Sequence, residues 1–162
     1  MRFRLLLLCS LLLSVSASAQ IPGAAEDLVE IDSIQARLRK SFETFTEIRP
    51  AQRREARAAA AVTRALGYSY AEVYDLGFIV LAATSLPPTA PEVKWLKFYG
   101  GVRAVSMWSD ALQTQLAVLR ENRGAFRSAA TRRALADGIV EVERLQALAR
   151  RLGERWPPEW RQ

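Results

Sequence analysis

Leu28-Val29-Glu30-Ile31-Asp32-Ser33-Ile34-Gln35-Ala36-Arg37-Leu38-Arg39-Lys40-Ser41-Phe42-Glu43-Thr44-Phe45-Thr46-Glu47-Ile48 decides the fold class. Leu28, Ile31, Ile34, Leu38, Phe42, Phe45 and Ile48 recur every three or four residues, with charged and polar residues between them. That spacing gathers the apolar groups on one face of an α-helix over about 27–48. Glu26 and Asp27 suit its positive end. Pro50 disfavours helical geometry at Arg49 and stops it.

The same period continues downstream. Pro50 fits the first turn of a second helix reaching about Leu66, with Gly67 as its C-terminal cap. Its apolar side is thin: Ala56, Ala59, Ala60 and Thr63. Ser69-Tyr70-Ala71-Glu72 reads as a capping box, flanked by Tyr68 and Val73 as a hydrophobic staple, and opens a third helix to about Ser85. From Leu76 to Leu86 that helix is apolar on every side, as expected of the most buried member of a bundle. The run is too short for a membrane span, which needs ~20 apolar residues. Extending it backwards takes in Asp75 and Glu72, and an acid near mid-bilayer costs ~3 kcal/mol.

Pro87-Pro88 ends the third helix, and Thr89-Ala90-Pro91-Glu92 is a second capping-box pattern. A long segment follows to about Asn122, striped by Val93, Leu96, Tyr99, Val102, Val105, Leu112, Leu116 and Leu119. Gly100-Gly101 is placed to kink or split it. Gly124 is read as its cap. A last helix runs from about Ser128 to Leu152 on Leu135, Ile139, Val142, Leu145, Leu148 and Leu152, with Gly153 closing it. No period-2 strand pattern and no internal repeat is present. The expected fold is all-α: a bundle of about five helices, mostly antiparallel because the connections are short.

Upstream of this unit the N-terminus has the three parts of a secretory leader. Met1-Arg2-Phe3-Arg4 is positive, Leu5 to Leu13 is an apolar core, and Ala17-Ser18-Ala19 offers small residues to a signal peptidase. The expected organisation is a cleaved leader at 1–19, a bundle domain at 20–153 and a Trp- and Pro-containing tail at 154–162. Cleavage before Gln20 removes the one cysteine, Cys9, together with Arg2 and Arg4, and leaves a net charge of +4. The product is expected in the periplasm or outside the cell. The 20 Arg, 3 Lys and 26 Ala match the codon bias of a GC-rich bacterial genome.

Composition narrows the chemistry. With no His there is no Ser-His-Asp or Cys-His pair, no imidazole base and no His-ligated zinc. With one Cys there is no internal disulfide and no thiolate cluster. No Ca²⁺-loop pattern is present, and bundle di-iron sites need Glu-x-x-His. Neither a metal nor another cofactor is expected.

Three groups of residues remain as candidates. Glu72 and Asp75 are three apart and share a helix face. As a partly buried acid pair they would serve as a carboxylate acid–base couple; as first-turn residues they would merely cap and stabilise the helix. Arg53, Arg54 and Arg57, with Arg49 and Arg64, form one basic cluster; Arg123 and Arg127, with Arg120, Arg132 and Arg133, form another. Either is an anion-binding surface or a solvated face. Arg53 and Arg54 near a helix N-terminus are unfavourable by ~0.3–1 kcal/mol each, and a tight hairpin at Pro50 would let Glu43 and Glu47 pair with them. Tyr68, Tyr70, Tyr74, Phe78, Trp95, Phe98, Tyr99 and Trp108 either line a ligand pocket between helices or, as expected at helical spacing, sit in the core. Trp156 and Trp160 either clip the tail to the bundle or anchor a partner.

Arg49-Pro50-Ala51-Gln52-Arg53-Arg54 resembles the Thr-Pro-x-Gln helix start of small periplasmic helical chaperones, with Arg49 in the place of Thr. The resemblance covers six residues, and any helix that opens on Pro shares it, so it assigns no family. The expected function is a non-catalytic binding module of the cell envelope. The alternatives are a carboxylate-dependent enzyme on Glu72 and Asp75, and a basic surface for anionic lipid or envelope polymer. The expected partner is an envelope protein or an anionic envelope polymer, and nucleic acid is not expected there.

Overall fold

The computed structural model describes residues 23–50, 52–85 and 102–155, with backbone alone for 102–106. Four helices make up these residues: α1 (Ala24–Glu47), α2 (Arg53–Ser85), α3 (Val102–Glu121) and α4 (Ala129–Arg155). No strand occurs among them. The leader, the Thr89–Glu92 pattern, Trp95, Phe98, Tyr99, Gly100-Gly101, Trp156 and Trp160 lie outside the described residues.

Each helix packs on its neighbours in chain order, α1 on α2, α2 on α3, α3 on α4, and α4 back on α1, with α2 also reaching α4 across the middle. This is an up-down-up-down bundle. The buried positions explain it. In α1 they are Ala24, Asp27, Ile31, Ile34, Leu38, Ser41 and Phe45, an alternation of three and four. In α4 the series Thr131, Leu135, Gly138, Val142, Leu145, Ala149 and Leu152 keeps the same alternation. A period of 3.5 holds a seam against a partner helix along its whole length, as in left-handed coiled coils. No helix among the described residues is long and apolar enough to cross a membrane.

The expected break at Gly67 is absent, because α2 runs unbroken from Arg53 to Ser85. Gly67 is a packing residue: a Cβ there would stand 3.2 Å from Phe42 Cε2, so the Phe42 ring of α1 lies directly on the helix backbone. Ser69 is buried and donates its hydroxyl to Ala65 O at 3.0 Å, one turn back in its own helix. It therefore caps nothing, and Glu72 and the proposed Tyr68–Val73 staple lose their helix start. Two expected helices thus become one, which brings the count from about five to four among the described residues.

Two further glycine readings are corrected. Gly153 lies within α4, which continues to Arg155. Gly124 does not adopt the left-handed cap geometry, since Gly23 is the one glycine with positive φ among the described residues. On the other side of this turn Ser128 caps the N-terminus of α4, its Oγ accepting the Thr131 N–H at 3.4 Å.

Candidate functional site

Antiparallel packing brings the start of α2 and the α3–α4 turn to the same end of the bundle. At the α2 start, Gln52 O accepts the Ala56 N–H at 2.9 Å and closes the first turn. Arg53, Arg54 and Arg57 then project from the first two turns, all exposed. Arg57 stands four residues from Arg53 and three from Arg54, so it neighbours each of them on the helix surface.

The opposing turn is held from several sides. Phe126 is buried and meets Phe45 of α1 edge-to-face, with ring centroids 5.2 Å apart. Asn122 Nδ2 donates to Val118 O at 2.8 Å. Arg132 folds back and its Nη1 donates to Arg127 O at 2.6 Å and Phe126 O at 3.3 Å. The result is a firm wall facing α2.

Between the two lies an open cleft of about 510 Å³. Arg53, Arg54, Arg57 and Ala58 form one side; Glu121, Asn122, Gly124 and Ala125 form the other. Three of the five arginines singled out from the sequence therefore line one cavity. The other two, Arg123 and Arg127, are exposed on the same turn without lining it.

Among the described residues outside this group, six arginines have carboxylate partners, and Arg49, Arg64, Arg132, Arg133 and Arg150 have none. Arg37 and Arg144 reach Glu141, Arg39 reaches Glu43, Arg120 reaches Glu143, Arg151 reaches Glu30 and Arg155 reaches Asp27. Among the described residues, none of Arg53, Arg54, Arg57, Arg123 or Arg127 is ion-paired through its side chain. The expected pairing of Glu43 and Glu47 with Arg53 and Arg54 does not form. Glu43 is engaged at 2.7 Å by Arg39 on its own helix, and Ile48 is extended (φ −63°, ψ 131°), so the connection is no tight hairpin. The guanidiniums thus stand without ion-pair partners at the positive end of α2, with Glu55 in the same turn and Glu121 across the cleft as the nearby acids. That is a site where an anion gains from both side chains and helix.

Glu72 and Asp75 lie elsewhere, midway along α2. Glu72 is half-buried, and its Oε2 is buried without a hydrogen-bond partner among the described residues. Burial, and then the charge of Asp75, pushes its carboxyl up to about 7. Asp75 itself is exposed, so the structure does not enclose the two acids together. Among the described residues, no group of three His, Cys, Asp or Glu gathers as a metal site.

The aromatic residues depart from expectation. Tyr68, Tyr74 and Phe78 are exposed, at 56, 63 and 58%. The core face of α2 is instead filled by Val73, Leu76, Ile79, Val80 and Ala83, which leaves the opposite side of the helix to the large rings. Tyr70 and Trp108 are partly buried against the core. No family model, no curated protein and no solved structure matches the chain.

Proposed function

We propose that this chain is an exported, non-catalytic binding module of the cell envelope, which takes anionic groups at its arginine-lined end. One observation carries the reading. Three guanidiniums without ion-pair partners among the described residues line one cleft beside the α3–α4 turn, whereas six other arginines are engaged in internal ion pairs. Placing like charges at a helix N-terminus costs stability, and a bound anion offsets that cost.

The test is a titration of residues 20–162 with inorganic polyphosphate, followed by tryptophan fluorescence and calorimetry. Binding that weakens steeply with added salt is expected, as is its loss in Arg53→Glu/Arg54→Glu/Arg57→Glu with the helical circular dichroism intact. Wild-type and triple variant binding alike would sink the reading. Export is tested by the mass of the protein recovered from the periplasm or medium, which should begin at Gln20.

Glu72 supports a second reading, a carboxylate-dependent enzyme, through its buried, unpartnered Oε2. Its partner Asp75 is exposed, which leaves the second role in an acid–base pair to an unconfined group. A hydrolytic activity in the purified protein that vanishes in Glu72→Gln would carry this reading over the first.

A further inference from the structure

The charges of the described residues are sorted along the bundle axis. The arginine-lined end, residues 43–66 and 120–138, carries 10 basic and 5 acidic side chains. The opposite end, residues 23–32, 75–85, 107–110 and 150–155, carries 3 basic and 7 acidic ones. α4, with 27 residues, is ~40 Å long at 1.5 Å per residue. The two ends are therefore several Debye lengths apart at physiological salt, and the acids at one do not screen the arginines at the other.

Building on the anion-binding reading, we propose that the partner is an anionic phospholipid surface, on which the bundle stands end-on with the Arg53-Arg54-Arg57 cleft and the Arg123–Arg127 turn against the headgroup phosphates. A bundle whose described residues are net positive at one end and net negative at the other is oriented by a charged plane, which attracts one and repels the other. A linear polyanion would be better served by a basic track along the side. Here the helix seam between α1 and α4 instead engages Arg37, Arg144 and Arg151 in internal ion pairs with Glu141 and Glu30.

The contact is electrostatic in kind. The exposed large apolar side chains among the described residues are Val29, Tyr68, Tyr74, Phe78, Met107 and Val140. None falls within 43–66 or 120–138, so the arginine end offers no large apolar side chain for insertion below the headgroups. Each guanidinium near such a surface is worth roughly fivefold in partitioning, and each salt increment removes part of it.

The mature chain without Cys9 has no cysteine, which makes single-label experiments simple. A cysteine at Gly124, where a Cβ meets nothing within 4 Å, reports on the arginine end; one at exposed Val29 reports on the other. Each labelled protein is mixed with phosphatidylcholine vesicles with and without phosphatidylglycerol. Expected are co-sedimentation only with phosphatidylglycerol, release by salt, and a fluorophore shift at position 124 but not at 29. Arg53→Glu/Arg54→Glu should lower partitioning by at least tenfold, and Arg150→Glu at the far end should change it little. Polyphosphate binding without vesicle binding would overturn the bilayer partner and leave the anion site standing. A shift at 29 rather than 124 would overturn the end-on orientation, and binding to neither probe would overturn both.

Discussion

Arg155, the last residue of α4, donates from Nη2 to both carboxylate oxygens of Asp27 in the first turn of α1, at 2.6 and 2.5 Å. Asp27 is buried at a seam position whose equivalents one and two heptads on are Ile34 and Ser41. The carboxylate suits the positive end of α1 and the guanidinium suits the negative end of α4, so the pair closes the bundle where both helices end. Gly23 completes it. Its φ of 76° is left-handed, and a Cβ there would lie 2.6 Å from Arg155 Nη1.

Asp27→Asn is therefore expected to cost ~2 kcal/mol, toward the low side for a buried pair because Arg155 retains some solvent. Gly23→Ala should cost ~1–2 kcal/mol, from the left-handed backbone and from displacing the guanidinium. Because both act partly on one ion pair, the double variant should lose less than the two losses added together. Urea midpoints of the four proteins check this; strict additivity would mean that Gly23 acts through its backbone alone.

Glu141 sets up an asymmetric prediction. It is 3% exposed and accepts from Arg37 at 3.1 Å and Arg144 at 2.7 Å. Both guanidiniums have access to solvent, whereas the carboxylate has almost none. Glu141→Met releases two arginines to water and should cost under ~1 kcal/mol. Arg37→Met/Arg144→Met strands a buried charge and should cost ~3 kcal/mol or more. Denaturation midpoints in the reverse order would show that Glu141 contributes chiefly as a partner and not as a desolvated burden.

The stripes of α1 and α4 were legible because period and burial agree residue by residue: Ile31, Ile34 and Leu38, then Leu135, Val142 and Leu145, are all in the core. The break at Gly67 was misread because Gly followed by Ser-x-x-Glu has the same letters whether a chain ends there or a neighbour packs there. Only the arrival of Phe42 from α1 distinguishes them, and that contact is not local. Tyr74 and Phe78 were misassigned for a related reason, since hydrophobicity favours burial without saying which of several apolar faces wins. The arginines could be named from the sequence, but five alternating helices set residues near 50 and near 125 at opposite ends; the unbroken α2 brings them to one end. That three of them line a cavity depended on the turn geometry fixed by Phe126 and Arg132.

Gly138 is the glycine whose added Cβ would crowd a neighbour most in the bundle interior. A Cβ there would stand 2.8 Å from Leu66 Cδ2 of α2 and 3.5 Å from Ser41 Cβ of α1. Gly138→Ala asks one leucine tip to rotate, and the gain in helix propensity of ~1 kcal/mol should nearly offset that. Gly138→Val adds two more carbons where Leu66 and Ser41 already fill the space, and should cost ~2–3 kcal/mol. Thermal melts of the two variants check the contrast; a well-tolerated valine would mean that α4 stands off from α2 more than the geometry implies.

Glu72 gives the fold a pH dependence with a definite sign. In the unfolded chain its carboxyl has the ordinary value of 4.5, and in the bundle burial, then Asp75, raises it to about 7. Below 4.5 the group is protonated in both states and has no effect. Between 4.5 and 7 the unfolded chain releases a proton that the folded chain retains, so stability falls as pH rises through that window and levels off above it. The loss is ~1–2 kcal/mol once the water reaching a half-exposed carboxyl is allowed for. Glu72→Gln should match the wild type well below pH 4.5 and exceed it well above pH 7. Asp75→Asn should recover a smaller part, because burial is the larger cause. Urea midpoints across the window decide it: equal wild-type and Glu72→Gln stabilities at both extremes would mean that the folded carboxyl titrates like an exposed one.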